Sequence, residues 1–363
     1  MMTHRRTAGI VAALAAASLA ACAPSSTHLT ASGTAGAPLP TPSAVRSPTL
    51  APSPSPTASS TVVAPPPLAI FFTATSNESY QLEARTYSGA PAGTLTIPYS
   101  DSGFEIAPDG SKVLDGDAII AVDGRAIGRI AWTFATLPTW ADDSQHLCGI
   151  TYDPSSGGHA TLVEFDMSGT FRTVATLGPS GPNISWGVLA CSPTADRALV
   201  EGGPGSSEVV NLLRLSTGTF LASHSVNDEI AASVASHDGR IVAVNEPSGI
   251  AVRDALTWAL EARIVRWGSP EGYPLIASVV KASWDGTRLL VDAGGASGAC
   301  HPQWLVDWAL DRDILTSTSA PAPLGCSAVL PLMRGASFFV STKPVLGALY
   351  LVEANGTVRK VGG

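Results

Sequence analysis

This chain carries many side chains able to do chemistry, but their spacing forms none of the usual catalytic patterns. It has no Gly-x-Ser-x-Gly elbow, no phosphate loop ending in Gly-Lys-Ser/Thr and no His-Glu-x-x-His. His146, His159, His224, His237 and His301 are scattered without metal-ligand spacing and read as surface or packing residues. Asp115-Gly116-Asp117, with Asp123 beyond, could offer oxygen ligands to calcium, but no EF-type spacing follows and an exposed turn is the plainer reading. Asp142-Asp143 and the pair Asp311 and Asp313 also fall where turns are expected. The sequence therefore points to no catalytic residue, no metal and no cofactor. The five cysteines are Cys22, Cys148, Cys191, Cys300 and Cys326. None forms a C-x-x-C pair, so structural zinc and thioredoxin-like redox chemistry are poor readings.

The elements that position these residues announce themselves through their turns. Short runs of Val, Ile, Leu and Thr alternate with Gly, Asp, Pro and Ser, which predicts an all-β domain. One phrase recurs: an apolar strand, a polar turn, a second apolar strand. It reads Phe104-Glu105-Ile106-Ala107-Pro108-Asp109-Gly110-Ser111-Lys112-Val113-Leu114 and returns around Asp142-Asp143, Pro193-Thr194, Asp238-Gly239, Asp285-Gly286 and Arg334-Gly335. Asp-Gly suits such turns because Gly accepts positive φ and Asp bonds to nearby backbone. A second turn recurs as Ser168-Gly169-Thr170, Thr217-Gly218-Thr219 and Asn355-Gly356-Thr357.

The repeat averages about 45 residues, room for four short strands, which is the period of a β-propeller blade. Six anchors give six blades. Leu68–Thr73, Tyr80–Tyr87 and Thr94–Ile97 add three strands that look like a further blade lacking its innermost strand. The expected fold is thus a β-propeller of about seven blades of four-stranded antiparallel sheets, with six blades or two stacked sandwiches as alternatives. Asp254–Trp267 could also be a capped helix, but its place in the repeat makes it a hairpin.

The Ala107-Pro108-Asp109-Gly110-Ser111-Lys112 phrase resembles the turn of TolB-like and WD-repeat-like propellers, over roughly residues 68–363. That resemblance implies architecture and says almost nothing about activity. Ser283-Trp284-Asp285-Gly286-Thr287 has the wrong spacing for the Asp-box of sialidases.

The N-terminus speaks of location. Arg5 and Arg6 precede an apolar run from Ala8 to Ala21, too short and Ala-rich to span a membrane as a helix. Its Leu19-Ala20-Ala21-Cys22 ending resembles the lipobox of bacterial lipoproteins, which implies cleavage before Cys22 and acylation of its thiol. The domain expectation is a signal peptide over 1–21, a lipidated Cys22 with a Pro/Ser/Thr-rich tether over 22–67, and the propeller over 68–363. The tether has few large apolar residues and cannot offset its ordering entropy. Its expected partner is the membrane, through the lipid, on the extracytoplasmic side.

Formal net charge is −8 and no basic run follows Leu68, so nucleic-acid binding is not expected. A charged fraction of 14% and a hydrophobic fraction of 45% fit a folded domain, expected to be a monomer. With Cys22 lipidated, four cysteines remain for two disulfides in an exported chain. The blade register puts Cys148 and Cys191 near one face in neighbouring blades, and Cys300 and Cys326 near the other. That selects Cys148–Cys191 and Cys300–Cys326.

Loops decide the candidate site. The strand one–two and three–four turns are tight. The connections on the opposite face read as long: 153–159, 178–185, 201–207, 267–274, 293–302 and 320–325. Long loops on a rigid scaffold carry binding residues, which makes Trp186, Trp267, Tyr273, His301 and Trp304 the candidate ligand-binding residues; the alternative is that they pack between blades. Innermost strands look mainly apolar, with Glu105 and Lys281 the exceptions. The leading expectation is a tethered binding or scaffold module for a protein, peptide or glycan. A hydrolase or lyase working on an extracellular polymer at the central funnel is the rival, and a structural or sensory part of a larger envelope complex the third reading.

Overall fold

The computed structural model describes residues 67–362 apart from 77, 99–102, 131–136, 154–157, 180–183, 205–207, 227–232, 247–248, 266–277, 293–302, 311, 317–327, 334 and 344. The chain divides into two compact units, Met1–Val62 and Val63–Gly363, and every described residue belongs to the second. The signal peptide, Cys22 and nearly all of the tether lie outside the described residues.

Among the described residues, twenty-seven strands form seven sheets, each built from consecutive strands in antiparallel order. Blade 1 holds β1 (Leu68–Thr75), β2 (Ser79–Thr86) and β3 (Pro91–Pro98). Blade 2 holds β4 (Phe104–Ile106), β5 (Lys112–Asp115), β6 (Ala118–Ala121) and β7 (Ala126–Arg129). Blade 3 holds β8 (Thr139–Trp140), β9 (His146–Asp153), β10 (His159–Asp166) and β11 (Phe171–Pro179). Blade 4 holds β12 (Ile184–Ser192), β13 (Arg197–Pro204), β14 (Glu208–Arg214) and β15 (Phe220–Val226). Blade 5 holds β16 (Ser233–Ala235), β17 (Ile241–Glu246), β18 (Gly249–Asp254) and β19 (Leu260–Ile264). Blade 6 holds β20 (Ser278–Ala282), β21 (Arg288–Asp292), β22 (Gln303–Asp307) and β23 (Arg312–Thr316). Blade 7 holds β24 (Ala328–Pro331), β25 (Phe338–Ser341), β26 (Leu349–Val352) and β27 (Val358–Gly362).

This is a seven-bladed β-propeller; among the described residues its first blade has three strands where the others have four. Innermost strands β4, β8, β12, β16 and β20 neighbour one another in order. Each of the seven hydrophobic clusters spans two successive blades. Leu114 and Phe165 share one, Leu199 and Val242 another, and Ala69 and Phe71 meet Phe339 and Leu351 between blades 1 and 7. Among the described residues the ring therefore closes by packing, without a sheet shared between blades 1 and 7.

The repeated turns work as the sequence implies. The strand one–two turn contains a positive-φ residue in six blades: Gly110, Ser144, Asp196, Gly239, Gly286 and Gly335. At Gly110 (φ 67°) a Cβ would also run into the Leu68 carbonyl. Neighbouring turns are stitched together. Asp142 N–H donates to Cys191 O (3.0 Å), His237 N–H to Trp284 O (3.2 Å) and Asp109 N–H to Ser144 Oγ (3.0 Å). In the three–four turn, Asp166 Oδ1 accepts from the N–H groups of Ser168 (2.8 Å) and Thr170 (3.0 Å). Trp258 takes the Gly place of that turn in blade 5 at φ 60°, so Asp254–Ile264 is the tail of β18, a turn and β19, not a helix.

Cys148 and Cys191 form a disulfide between blades 3 and 4, with Cα atoms 6.0 Å apart. Cys300 and Cys326 lie outside the described residues. Two connections are shorter than expected. Strand β13 runs on through Gly202 and Gly203 to Pro204, β11 reaches Pro179, and β12 starts at Ile184. The glycines at 202 and 203 are strand residues pairing with Trp186 and Ser185, not a loop.

Candidate functional site

The best-formed cavity lies at the tight-turn end of the propeller axis and encloses about 300 Å³, the low end of the size range for small-ligand sites. Its walls come from six blades. Blade 1 gives Leu68, Ala69, Ile70 and Tyr87, and blade 2 gives the run Phe104–Pro108. Thr139 and Trp140 come from blade 3, His237 from blade 5, Lys281 and Trp284 from blade 6, and Leu330–Leu332 from blade 7.

The local folding explains each polar group. Glu105 is the middle residue of a three-residue innermost strand and pairs with Leu114. Its carbonyl accepts the Trp140 indole N–H (3.2 Å), which ties blade 2 to blade 3 beside the cavity. Lys281 pairs with Leu290 and donates Nζ–H to Val329 O (3.3 Å) across to blade 7. His237 sits in the tight turn of blade 5 and stacks on Trp284 of blade 6, ring centroids 3.5 Å apart.

Burial dominates the electrostatics. It pushes the Glu105 carboxyl up to about 7, with the Lys281 ammonium pulling the other way. Burial also lowers the Lys281 pKa, opposed by Glu105. His237 is pushed down to about 4 by burial and is neutral at physiological pH. Glu105 and Lys281 form no ion pair within 4.0 Å among the described residues, so each keeps hydrogen-bonding capacity for a ligand. Elsewhere, Glu201 of β13 is pushed up to about 7 by burial and by nearby Glu208, and accepts a short hydrogen bond from Ser233 Oγ.

The cavity occupies the gap left by blade 1. Ile70 sits where Leu114, Cys148, Leu199, Ala243, Leu290 and Phe339 sit in the other blades. Each of those faces an innermost-strand residue: Glu105, Thr139, Ala190, Val234, Lys281 and Leu330 in turn. Ile70 faces the cavity instead.

The aromatic candidates fare differently. Trp186 is 4% exposed. Its ring lies against Gly178 and Gly202, where added Cβ atoms would come within 3.0 Å and 2.7 Å, and Nε1–H donates to Pro179 O (3.1 Å). The backbone of β11 and β13 is glycine there because the indole fills that space, so Trp186 packs between blades 3 and 4 and is not exposed for a ligand. Trp267, Tyr273 and His301 lie outside the described residues. Trp304 stands in β22 opposite Val291. Trp186 does not line the axial cavity. The groups that do converge there were legible only as the two charged exceptions among apolar innermost strands. Lys281 follows Glu105 by more than three blades, so no local motif could join them. Among the described residues, no group of three or more His, Cys, Asp or Glu could hold a metal ion.

The chain is similar to several solved structures at low sequence identity. TolB from Acinetobacter baumannii is 13% identical, over 81% of this chain and 82% of that one, with a TM-score of 0.42. The β-propeller domain of the Trilobed protease from Pyrococcus furiosus is 9% identical, over 82% and 83%, with a TM-score of 0.42. Kuenenia stuttgartiensis hydrazine synthase is 12% identical, over 86% and 99%, with a TM-score of 0.47. No family model matches the chain, and no curated protein matches it.

Proposed function

We propose that this chain is an extracytoplasmic lipoprotein, anchored through Cys22, whose propeller is a binding module with its ligand seated in the axial cavity. The observation that carries the binding reading is the cavity itself: an apolar and aromatic wall with three convergent polar side chains, Glu105, Lys281 and His237. That composition is typical of a site that fixes a ligand's orientation through a few polar groups. The ligand class is a protein segment, a peptide or a glycan. The Cys148–Cys191 disulfide supports an oxidising compartment, and the Leu19-Ala20-Ala21-Cys22 motif supports the anchor.

One observation favours a second reading, a hydrolase or lyase. A Glu105 carboxyl held near 7 is tuned for general acid–base work. The two readings separate on Glu105→Gln: a binding module keeps its ligand with altered affinity, whereas an enzyme loses turnover and retains binding. The site itself is tested by Thr139→Trp, which fills the cavity, with Thr139→Val as control. Calorimetry against peptide and glycan fragments should show affinity lost in the first and kept in the second. Equal affinity in both would move the site elsewhere. For the anchor, Cys22→Ser should leave the chain uncut and outside the detergent phase, and an unacylated mature terminus in the natural protein would refute that part.

A further inference from the structure

We infer that the cavity's ligand is an extended peptide segment of a partner protein, which adds to blade 1 as its missing innermost strand. The inference rests on the reading of the axial cavity as a binding site and names the ligand class.

Leu68 donates its N–H to Asp109 O (2.6 Å) and Phe72 O accepts from Leu346 N–H (2.6 Å), both on the side of β1 away from β2. Alternate residues of an antiparallel strand direct their N–H and C=O groups to the same edge. Ile70 lies between those two, so its N–H and C=O face the same way. Among the described residues nothing bonds to them, although Ile70 is 3% exposed and lines the cavity. A buried, unpaired backbone donor and acceptor are costly and rare, and they are the groups a strand satisfies. In every other blade a strand does so at this level of the axis. Main-chain pairing of this kind selects a peptide over a glycan.

The chain's own preceding residues are poorly suited to the slot. The other blades turn from innermost strand to second strand through a residue at positive φ, one or two places before the residue that aligns with Leu68. In five of them (Gly110, Ser144, Asp196, Gly239 and Gly286) that residue's N–H also closes the turn. The corresponding places before Leu68 are Pro66 and Pro67. Proline is locked near φ −65° and has no N–H, so neither residue can make that turn. A partner strand needs no such turn. The walls beside Ile70 (Phe104, Ile106 and Leu330) favour apolar side chains, and Glu105 and Lys281 leave a place for one charged or polar group on the guest.

The test uses the full chain and linear hexapeptides selected on it from a phage-displayed library, then synthesised. Backbone amide exchange is followed by NMR. The expected result has two parts. Saturating peptide slows exchange of the Ile70 amide by about tenfold or more, and N-methylation of the guest residue opposite Ile70 weakens binding by about tenfold, against less than about twofold one residue along. Peptides that Thr139→Trp abolishes, but that leave Ile70 exchange and N-methylation without effect, would overturn strand addition and leave the cavity reading intact. An Ile70 amide already protected in the free chain would overturn it too, because the chain's own upstream segment would then fill the slot. A library that yields no binder, with glycan fragments also failing to bind, would overturn both.

Discussion

Glu105 offers the sharpest thermodynamic consequence of the axial cavity. Folding raises its pKa from 4.5 to about 7. The folded chain therefore holds this proton up to about pH 7, whereas the unfolded chain releases it near 4.5. Between those values folding takes up a proton, so the contribution to stability falls as pH rises and is fully lost above about 7. The shift corresponds to about 3 kcal/mol at about 1.4 kcal/mol per pK unit. Glu105→Gln removes the titration while keeping the shape of the side chain. That shift already contains the pull of the Lys281 ammonium on the carboxylate, and relaxation and water entry around the ionised group reduce the realised difference. We expect the variant to gain about 2 kcal/mol more, relative to the natural chain, at pH 8 than at pH 4. The assay is urea unfolding of both proteins at the two pH values, followed by circular dichroism. His237 and Glu201 titrate alike in the two proteins and cancel in the comparison. An equal change at both pH values, or a larger gain in acid, would refute the reasoning that burial holds Glu105 neutral.

Three further outcomes follow from the packing. Reducing Cys148–Cys191, whose residues are 43 apart in the chain, should cost about 4 kcal/mol on the chain-entropy model and lower the melting temperature; an unchanged melting temperature would mean the bridge constrains nothing. Trp186→Ala should destabilise by about 3–5 kcal/mol in chemical denaturation while ligand affinity stays within twofold of natural, since the indole is buried between blades 3 and 4 away from the cavity. Arg288 is 3% exposed, and its guanidinium donates to Ala336 O (3.1 Å) and Glu353 O (3.1 Å) and lies 3.8 Å from Asp307. Arg288→Met should therefore cost about 3–5 kcal/mol by urea unfolding, because Asp307 and three carbonyls of blade 7, those of Ala336, Glu353 and Ala354, lose their partner.

The propeller was readable because its turns obey local rules. Asp109-Gly110 and Asp285-Gly286 need positive φ and side-chain bonds to backbone, and those demands show in residue type. The incomplete first blade was readable for the same reason, since only three strand-like runs precede Phe104. Where the rule was met by an unlikely residue, as with Trp258 at φ 60°, the segment kept a helical alternative until the structure was seen. Gly202 and Gly203 misled because glycine usually marks a loop, whereas here it yields room to the Trp186 ring. The axial site was mostly hidden. Glu105, His237 and Lys281 are brought together by ring closure through seven interfaces, and loop length drew attention to the opposite face. That face falls largely on residues outside those described.

The most direct test of the account is a crystal structure of the full chain bound to a selected peptide. The account predicts an extended peptide in the axial cavity, antiparallel to β1, exchanging hydrogen bonds with Ile70 and touching Glu105 or Lys281. A peptide seated on the opposite face, or the cavity filled by the chain's own upstream residues, would contradict it.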